Sequence, residues 1–166
     1  MVPEPVSSSD LEWTEYDRGE AVFRRKQLGE AAGGRALGCS LHEIPAGKRA
    51  WPFHYHTANE EALYVLSGIG RVRMGSDETV HAVEAGDYLA LPTGPEGSHR
   101  VSNTGEEPLR YLAVSTMRDP DVLVYPDSGK VGVHAGAPPG GDAEKRHVSA
   151  YFPEDAAVDY WTGEEE

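Results

Sequence analysis

Short apolar runs separated by turn residues recur along most of this chain. Nineteen glycines and twelve prolines are spread over its 166 residues, and turn signals return about every 8 to 12 residues, a spacing typical of small β domains. Runs rich in Val, Leu and Tyr favour the pleated geometry of strands and are too short for most helices. The pattern therefore predicts an all-β fold, a small antiparallel barrel or jelly roll.

Individual strands are placed by alternation and by the residues that stop them. The stretch 11–28 is expected to form short strands or an arm packed on the barrel, and 36–44 a strand ended by Pro45. Further strands are expected at 54–56, 61–66, 71–74, 79–83, 88–91, 99–103 and 109–117. The pair 71–74 and 79–83 should form a hairpin, and so should the pair 99–103 and 109–117.

The chain is long enough for one domain, which we divide into three parts. Residues 1–34 are an N-terminal arm with barrel-flanking strands, 35–118 the barrel core, and 119–166 a C-terminal extension. In the extension we expect an edge strand at 122–125, a Gly/Pro linker at 135–142 and a short helix at 153–161.

Charge and hydropathy narrow the possible partners. Twenty-eight acidic against fifteen basic residues give a net charge of −13, which disfavours nucleic acid and anionic membrane surfaces. Apolar runs fall well short of the roughly 20 residues of a membrane span, and the first residues lack a signal-peptide pattern. The expectation is a cytoplasmic protein whose partner is a small molecule.

The clearest chemical feature is a pair of histidines two residues apart. Side chains alternate along a strand, so His54 and His56 face the same way, about 6.5 to 7 Å apart along the axis. Two imidazoles at that spacing can converge on one ion. An acid from the next strand, Glu61, and a third imidazole, His99, would complete a nitrogen and oxygen donor set that suits a divalent metal.

Two adjacent acids, Glu60 and Glu61, compete for the carboxylate position. Strand parity favours Glu61, which would share its face with Leu63 and Val65. A carboxylate buried beside apolar groups is costly unless a cation faces it, and a metal meets that need. On this interpretation Glu60 faces solvent or caps a turn.

The residues around these ligands resemble the two sequence signatures of the cupin superfamily. The first signature, Gly-x5-His-x-His-x3–4-Glu-x6-Gly, is similar to the run with six residues after its first glycine, formed by Gly47, His54, His56, Glu61 and Gly68. The second, Gly-x5-Pro-x-Gly-x2-His-x3-Asn, is similar to a run two residues longer before its histidine, formed by Gly86, Pro92, Gly94, His99 and Asn103.

The resemblance implies a double-stranded β-helix, the jelly-roll cupin barrel, with an N-terminal arm and a C-terminal extension. It gives metal-ligand roles to His54, His56, Glu61 and His99. It further implies one divalent metal ion per chain (Fe, Mn, Ni or Zn) and a homodimer. The sequence after Arg110 and after Tyr125 is similar to a group of small single-domain cupins.

Two functions stay open at this point. Three imidazoles and one carboxylate leave two positions of an octahedron free, which suits a metal-dependent enzyme of the dioxygenase, isomerase or lyase type acting on a small oxygen-rich metabolite. The alternative is a non-catalytic cupin that binds or senses a small ligand. Beyond the ligands, Tyr64 and Tyr111 are the candidates for a catalytic group.

The remaining polar and aromatic residues have structural interpretations. Asn103 is expected to fasten its turn. The isolated histidines are interpreted as satisfied or exposed: His42, His81, His134 and His147. Three strand arginines are assigned to the outer face, solvated or paired with acids: Arg71, Arg73 and Arg100. Four aromatic residues either line the pocket or belong to the core or a dimer interface: Trp51, Phe53, Tyr64 and Tyr111.

Overall fold

Antiparallel strands make up most of the computed structural model, which describes residues 4–164. The strands are β1 Thr14–Arg18, β2 Ala21–Gln27, β3 Leu37–Ile44, β4 Tyr55–His56, β5 Glu61–Ser67, β6 Ile69–Met74, β7 Thr79–Glu84, β8 Tyr88–Leu91, β9 His99–Asn103, β10 Leu109–Thr116, β11 Asp121–Tyr125, β12 Lys130–Ala135 and β13 Val148–Pro153. One helix, α1 Leu28–Ala31, is joined by short 3-10 helices at Ser8–Asp10, Pro95–Gly97, Pro126–Ser128, Ala143–Lys145 and Glu154–Ala156. The predicted all-β class is confirmed.

Three antiparallel sheets build the barrel. A six-stranded sheet has the order β1-β2-β3-β10-β5-β8, a four-stranded sheet the order β13-β12-β11-β4, and a three-stranded sheet the order β7-β6-β9. An antiparallel bridge between His54 and His99 connects the strand ends of the second and third sheets. The predicted jelly-roll architecture is confirmed, and its seam brings two of the site histidines together.

Alternation along the strands places the core between the sheets. In β5, Leu63 and Val65 are buried while Tyr64 and Leu66 are exposed. Removing one such side chain from water contributes about 1.5–3 kcal/mol. The inward residues form one cluster that joins the first and third sheets: Phe23, Ile44, Ala50, Leu63, Val65, Val72, Val83, Leu89, Leu91, Val101, Leu109 and Tyr111.

One predicted hairpin is confirmed and the other is wrong. β6 and β7 pair as expected. β9 instead pairs with β6, and β10 lies between β3 and β5. Residues 104–108 therefore cross from one sheet to another, and the inward residues of both strands, Val101 of β9 and Leu109 and Tyr111 of β10, join the same core cluster.

Asn103 fastens this crossing, as predicted. Its buried side-chain amide donates to the carbonyl oxygens of Ile44 and Glu107, each at 2.8 Å. Its side-chain oxygen accepts from the Gly105 N–H at 2.8 Å. These three bonds satisfy the polar groups that the change of sheet would leave unpaired.

The terminal segments join the sheets directly. β1 and β2 extend the first sheet through β3.

The prediction of an edge strand at 122–125 is wrong, because β11 lies between β12 and β4. The predicted helix at 153–161 is also wrong: β13 runs to Pro153 and one short 3-10 helix follows, while Tyr160 and Trp161 stay exposed and give a helix nothing to pack on. The division at 34/35 and 118/119 stays a prediction. Within residues 4–164, the helices are too short to cross a membrane.

Candidate metal centre and its cavity

Three histidines predicted as ligands lie buried at the junction of β4 and β9. The exposed fractions of His54, His56 and His99 are 6%, 6% and 7%. The ring centre of His54 lies 5.2 Å from that of His56 and 4.7 Å from that of His99. The shared facing expected for the first two histidines is therefore present, and the strand pairing adds the third.

Backbone carbonyls fix the tautomers of two of these rings. His54 Nδ1 lies 2.8 Å from the Pro52 carbonyl oxygen, and His99 Nδ1 lies 3.0 Å from the Gly97 carbonyl oxygen. A carbonyl oxygen only accepts, so each Nδ1 carries the proton and donates. Each neutral ring is left with a lone pair on Nε2, the atom available to a metal.

The third ring is oriented by a carboxylate that the sequence analysis missed. His56 Nδ1 donates to Asp121 Oδ2 at 2.5 Å, and the other oxygen, Oδ1, accepts the Ala58 N–H at 3.1 Å. Asp121 is fully buried. A histidine held by a carboxylate is a common arrangement behind metal ligands, because it fixes the ring and raises its basicity. The sequence pattern that could have identified Asp121 is side-chain alternation: as the first residue of β11, it shares a buried face with Leu123 and Tyr125.

Glu61 faces these rings from the adjacent strand. Its Oε2 lies 3.5 Å from His56 Nε2 and 3.4 Å from His99 Nε2. Glu60 is exposed, and the Thr116 hydroxyl accepts its backbone N–H. The structure thus brings Glu61, not Glu60, to the histidines, because side chains alternate along an extended chain and Glu61 takes the inward position.

Three of the four predicted ligands consequently converge on one point of the barrel interior. One ligand atom each from His54, Glu61 and His99 lies within 4.8 Å of the other two. His56 is outside this close trio, although its Nε2 approaches Glu61. Neutral imidazole nitrogens and a carboxylate oxygen are donors that suit iron, manganese, nickel or zinc, so the residues present fit a divalent ion.

The longer loop before His99 does not displace its ring. The loop includes a 3-10 helix at Pro95–Gly97. A Cβ on Gly97 would overlap the Pro92 carbonyl oxygen, so only glycine permits this approach. Because the Gly97 carbonyl also accepts from His99, the close approach positions the ring.

Burial and charge set different pKa values for the three rings. Burial, with the neighbouring His99 and His56, holds the pKa of His54 well below its ordinary value. Burial also lowers the pKa of His99. Burial alone would lower the pKa of His56 as well, but the hydrogen bond to Asp121 and the charge of Glu61 raise it. Two of the three rings are therefore neutral and ready to coordinate at physiological pH.

A cavity of about 230 Å³ opens over this centre. It is lined by four ligand candidates, the aromatic Trp51, Tyr111, Tyr125 and Tyr151, the polar Ser40, His42, Ser115 and His134, three arginines, and small or apolar residues. Tyr111 lies in the wall, and burial together with the charge of Glu61 raises its pKa, so its phenol keeps its proton. Tyr64 is 44% exposed and lies outside the wall. The structure therefore brings only Tyr111 of the two tyrosine candidates to the site.

The interpretation of the isolated histidines as satisfied or exposed holds for three of them, since the Nδ1 of His134 lies 3.2 Å from the Ser149 hydroxyl; the exception is His42, whose Nδ1 has no hydrogen-bond partner among the described residues. His81 and His147 are exposed. His42 and His134 are buried and line the cavity. A single histidine on a strand does not by itself show whether its face encloses a core or a pocket.

Comparisons with known proteins agree with this geometry. The family model described as "Cupin domain" matches residues 40–115, the range that contains all four ligand candidates. Residues 40–115 of the chain are therefore assigned to the cupin family. The resemblance seen in the two sequence signatures is thereby confirmed. No curated protein sequence matches the chain.

Solved cupin structures resemble the chain over most of its length. A candidate sugar phosphate isomerase from Acidithiobacillus ferrooxidans is 27% identical, with a TM-score of 0.75 over 93% of this chain and 94% of that one. A sugar phosphate isomerase from Silicibacter pomeroyi is 21% identical, with a TM-score of 0.75 over 92% and 94%, a likeness in fold. A candidate oxalate decarboxylase from Thermotoga maritima is 26% identical, with a TM-score of 0.57 over 70% and 98%.

Replacing His42 by Gln is expected to flatten the dependence of stability on pH. Burial, followed by the charge of Arg25, lowers the pKa of His42 to about 3, against about 6.5 in an unfolded chain. As the pH falls through 6.5, the unfolded chain gains a proton that the folded chain does not. His42 therefore costs the parent about 1.4 kcal/mol per pH unit below 6.5, or about 2 kcal/mol at pH 5.

Urea unfolding of the metal-free protein at about pH 7.5 and pH 5 measures this contribution. Gln offers an oxygen to the Trp51 Nε1–H, which donates to His42 Nε2 at 3.3 Å. His81→Gln, at an exposed position, is the matched control. Its free energy of unfolding should change between the two pH values as much as that of the parent. A slope in His42→Gln equal to that of the parent would contradict the prediction.

Proposed function

We propose that this cupin is a metal-dependent enzyme acting on a small oxygen-rich metabolite. One divalent ion per chain, Fe, Mn, Ni or Zn, would be held by His54, His56, Glu61 and His99. The observation that carries the proposal is the orientation of the rings: every Nδ1 of the three faces an acceptor, so Nε2 is the atom that each ring would offer to an ion. A purely structural set of buried histidines has no need to fasten all three rings through the same nitrogen.

The cavity defines what such a centre can act on. A bound divalent ion supplies a Lewis acid for a carbonyl or enolate oxygen. The volume of about 230 Å³ lies below the usual range of ligand pockets, roughly 300–1,000 Å³, which favours a small metabolite. Tyr111 can donate a hydrogen bond from its protonated phenol, and the aromatic wall excludes water around the reacting group.

The reaction type is supported by two relatives above 25% identity. Their descriptions name sugar phosphate isomerisation and oxalate decarboxylation. Both reactions, like dioxygenation, need a metal that polarises an oxygen and an open coordination edge. We therefore keep isomerase, lyase and dioxygenase chemistry together as the proposed class, in a cytoplasmic homodimer without nucleic-acid or membrane partners.

Replacing Glu61 by Gln should weaken metal binding at least about tenfold, because the change removes the one anionic donor while keeping its shape. The matched control is Glu60→Gln, which removes the same charge from the exposed neighbouring position. Competition titration against a chromogenic chelator, with elemental analysis, gives the affinities and the metal content. Equal losses in the two variants would reject Glu61 as a ligand.

Replacing Asp121 by Asn should weaken metal binding about 10- to 100-fold, because His56 loses the carboxylate that orients it and raises its basicity. Asp119→Asn is the control, since that exposed carboxylate accepts the Gly136 N–H and, among the described residues, no other hydrogen bond. The same competition titration applies, with circular dichroism to verify folding. Unchanged affinity in folded Asp121→Asn would show that the pair does not support a metal.

Turnover by metal-loaded protein tests the enzyme proposal itself. Anaerobic reconstitution with each candidate metal is followed by assays on catechols, β-diketones, keto acids and sugar phosphates, monitored by dioxygen uptake and product analysis. Turnover that is abolished in Glu61→Gln is expected. Tight binding of these compounds without product would instead favour the non-catalytic binding or sensing alternative.

A further inference from the structure

The cavity wall carries charge of the sign opposite to that of the whole chain. The protein has a net charge of −13. Yet three arginines, Arg25, Arg100 and Arg146, line the cavity, and among the described lining residues Glu61 is the only acid. A divalent ion would offset Glu61 and add positive charge. Such a basic interior in an acidic protein attracts an anion.

Unsatisfied hydrogen-bond donors mark the same wall. Among the described residues, three buried side-chain nitrogens have no hydrogen-bond partner: Arg25 Nε, His42 Nδ1 and Arg100 Nε. All three residues line this cavity. Trp51 donates to His42 Nε2, so the neutral ring carries its proton on Nδ1, and all three nitrogens are donors. Buried donors without partners are rare, and a ligand rich in acceptors would satisfy them.

Arg25 is the best placed of the three arginines. Its strand neighbour in the sheet is His42, so two of the unsatisfied donors stand side by side. The Tyr16 and Trp51 rings lie 5.6 and 5.4 Å from its guanidinium carbon and hold it by cation–π contacts. Within the described chain it forms no ion pair, whereas Arg100 is paired with Asp127 at 3.1 Å.

Arg146, from the C-terminal part of the chain, adds a second guanidinium that forms no ion pair within residues 4–164. Its Nε and Nη2 donate to the carbonyl oxygens of Ala137 and Pro138 at 3.0 and 2.8 Å. Carbonyl oxygens fix the guanidinium but leave its charge without a counter-ion. The same loop reaches β2, because the Gly140 carbonyl accepts from Gln27.

We propose that Arg25, His42 and Arg146 form an anion-recognition site in this cavity, for a phosphate or carboxylate group of the small metabolite. Arg25 and Arg146 lie outside the residues matched by the cupin domain, 40–115, so two of its three members come from segments that flank the shared barrel. The inference rests on the proposed function only in taking this cavity as the substrate site. Anion binding by the arginines does not need the metal.

Calorimetric titration of the full-length, chelator-treated protein tests the site with three matched probes: glycerol 3-phosphate, glycerate and glycerol. Saturable binding of at least one anionic probe is expected, and glycerol should give none. The relative affinity of the two anions distinguishes a phosphate from a carboxylate ligand. Absence of binding by both anions, or equal binding of glycerol, would overturn the proposal.

Arg25→Met should lower the affinity for the anionic probe about tenfold or more, because a charge-assisted bond is lost. Arg71→Met removes the same charge from an exposed position on β6 and should stay within about twofold of the parent. Arg25→Lys keeps the charge without the planar fork and should bind at an intermediate level. If Arg25→Met fails to fold, Arg25→Lys provides the test. An anion affinity in Arg25→Lys equal to that of the parent would then overturn the proposed site.

His54→Ala separates this site from the metal. The variant should bind the anion in the absence of metal as the parent does, while Arg25→Met should retain the parent's metal affinity. Anion affinity that disappears in His54→Ala and persists in Arg25→Met would assign the ligand to the metal centre and overturn the arginine site. If the protein binds no metal but still binds the anion in calorimetry, the proposed metal-dependent function fails and the anion site is supported.

Discussion

Burial of hydrogen-bonding groups inside a closed sheet is the constraint on which the site depends. A buried imidazole N–H is costly without an acceptor, and His54, His56 and His99 each donate a hydrogen bond through Nδ1. Each bond then determines where the remaining lone pair points. The barrel thus prepares a coordinating face as a consequence of satisfying its own buried polar atoms.

The cavity combines two kinds of unsatisfied atom. The first kind consists of lone pairs on the histidine nitrogens and an oxygen of Glu61, which a cation would satisfy. The second kind consists of donors of Arg25, His42 and Arg100, which an acceptor would satisfy. A metal with an anionic, oxygen-rich molecule satisfies both sets, so the two proposals describe complementary parts of one pocket.

Residue alternation and turn signals along the chain predicted much of this arrangement, and the predictions that failed share one cause. Alternation placed Glu61 inward and Glu60 outward, because parity is a property of a single strand. The hairpin expected between 99–103 and 109–117 was wrong because a turn signal shows that the chain reverses but not which strand it pairs with. Asp121 was missed for a similar reason: its partner His56 is 65 residues away in sequence.

The sequence by itself determined the strand-rich class, the histidine pair and the inward acid, since these follow from residue type and from a repeat of two along one strand. Only the tertiary structure decided that His99 bridges to His54, that Asp121 supports His56, and that Arg25 and Arg146 reach the same cavity. Those contacts join strands and loops far apart in the chain. They exist because closing the barrel buries distant segments against one another, and no local pattern encodes which segments meet.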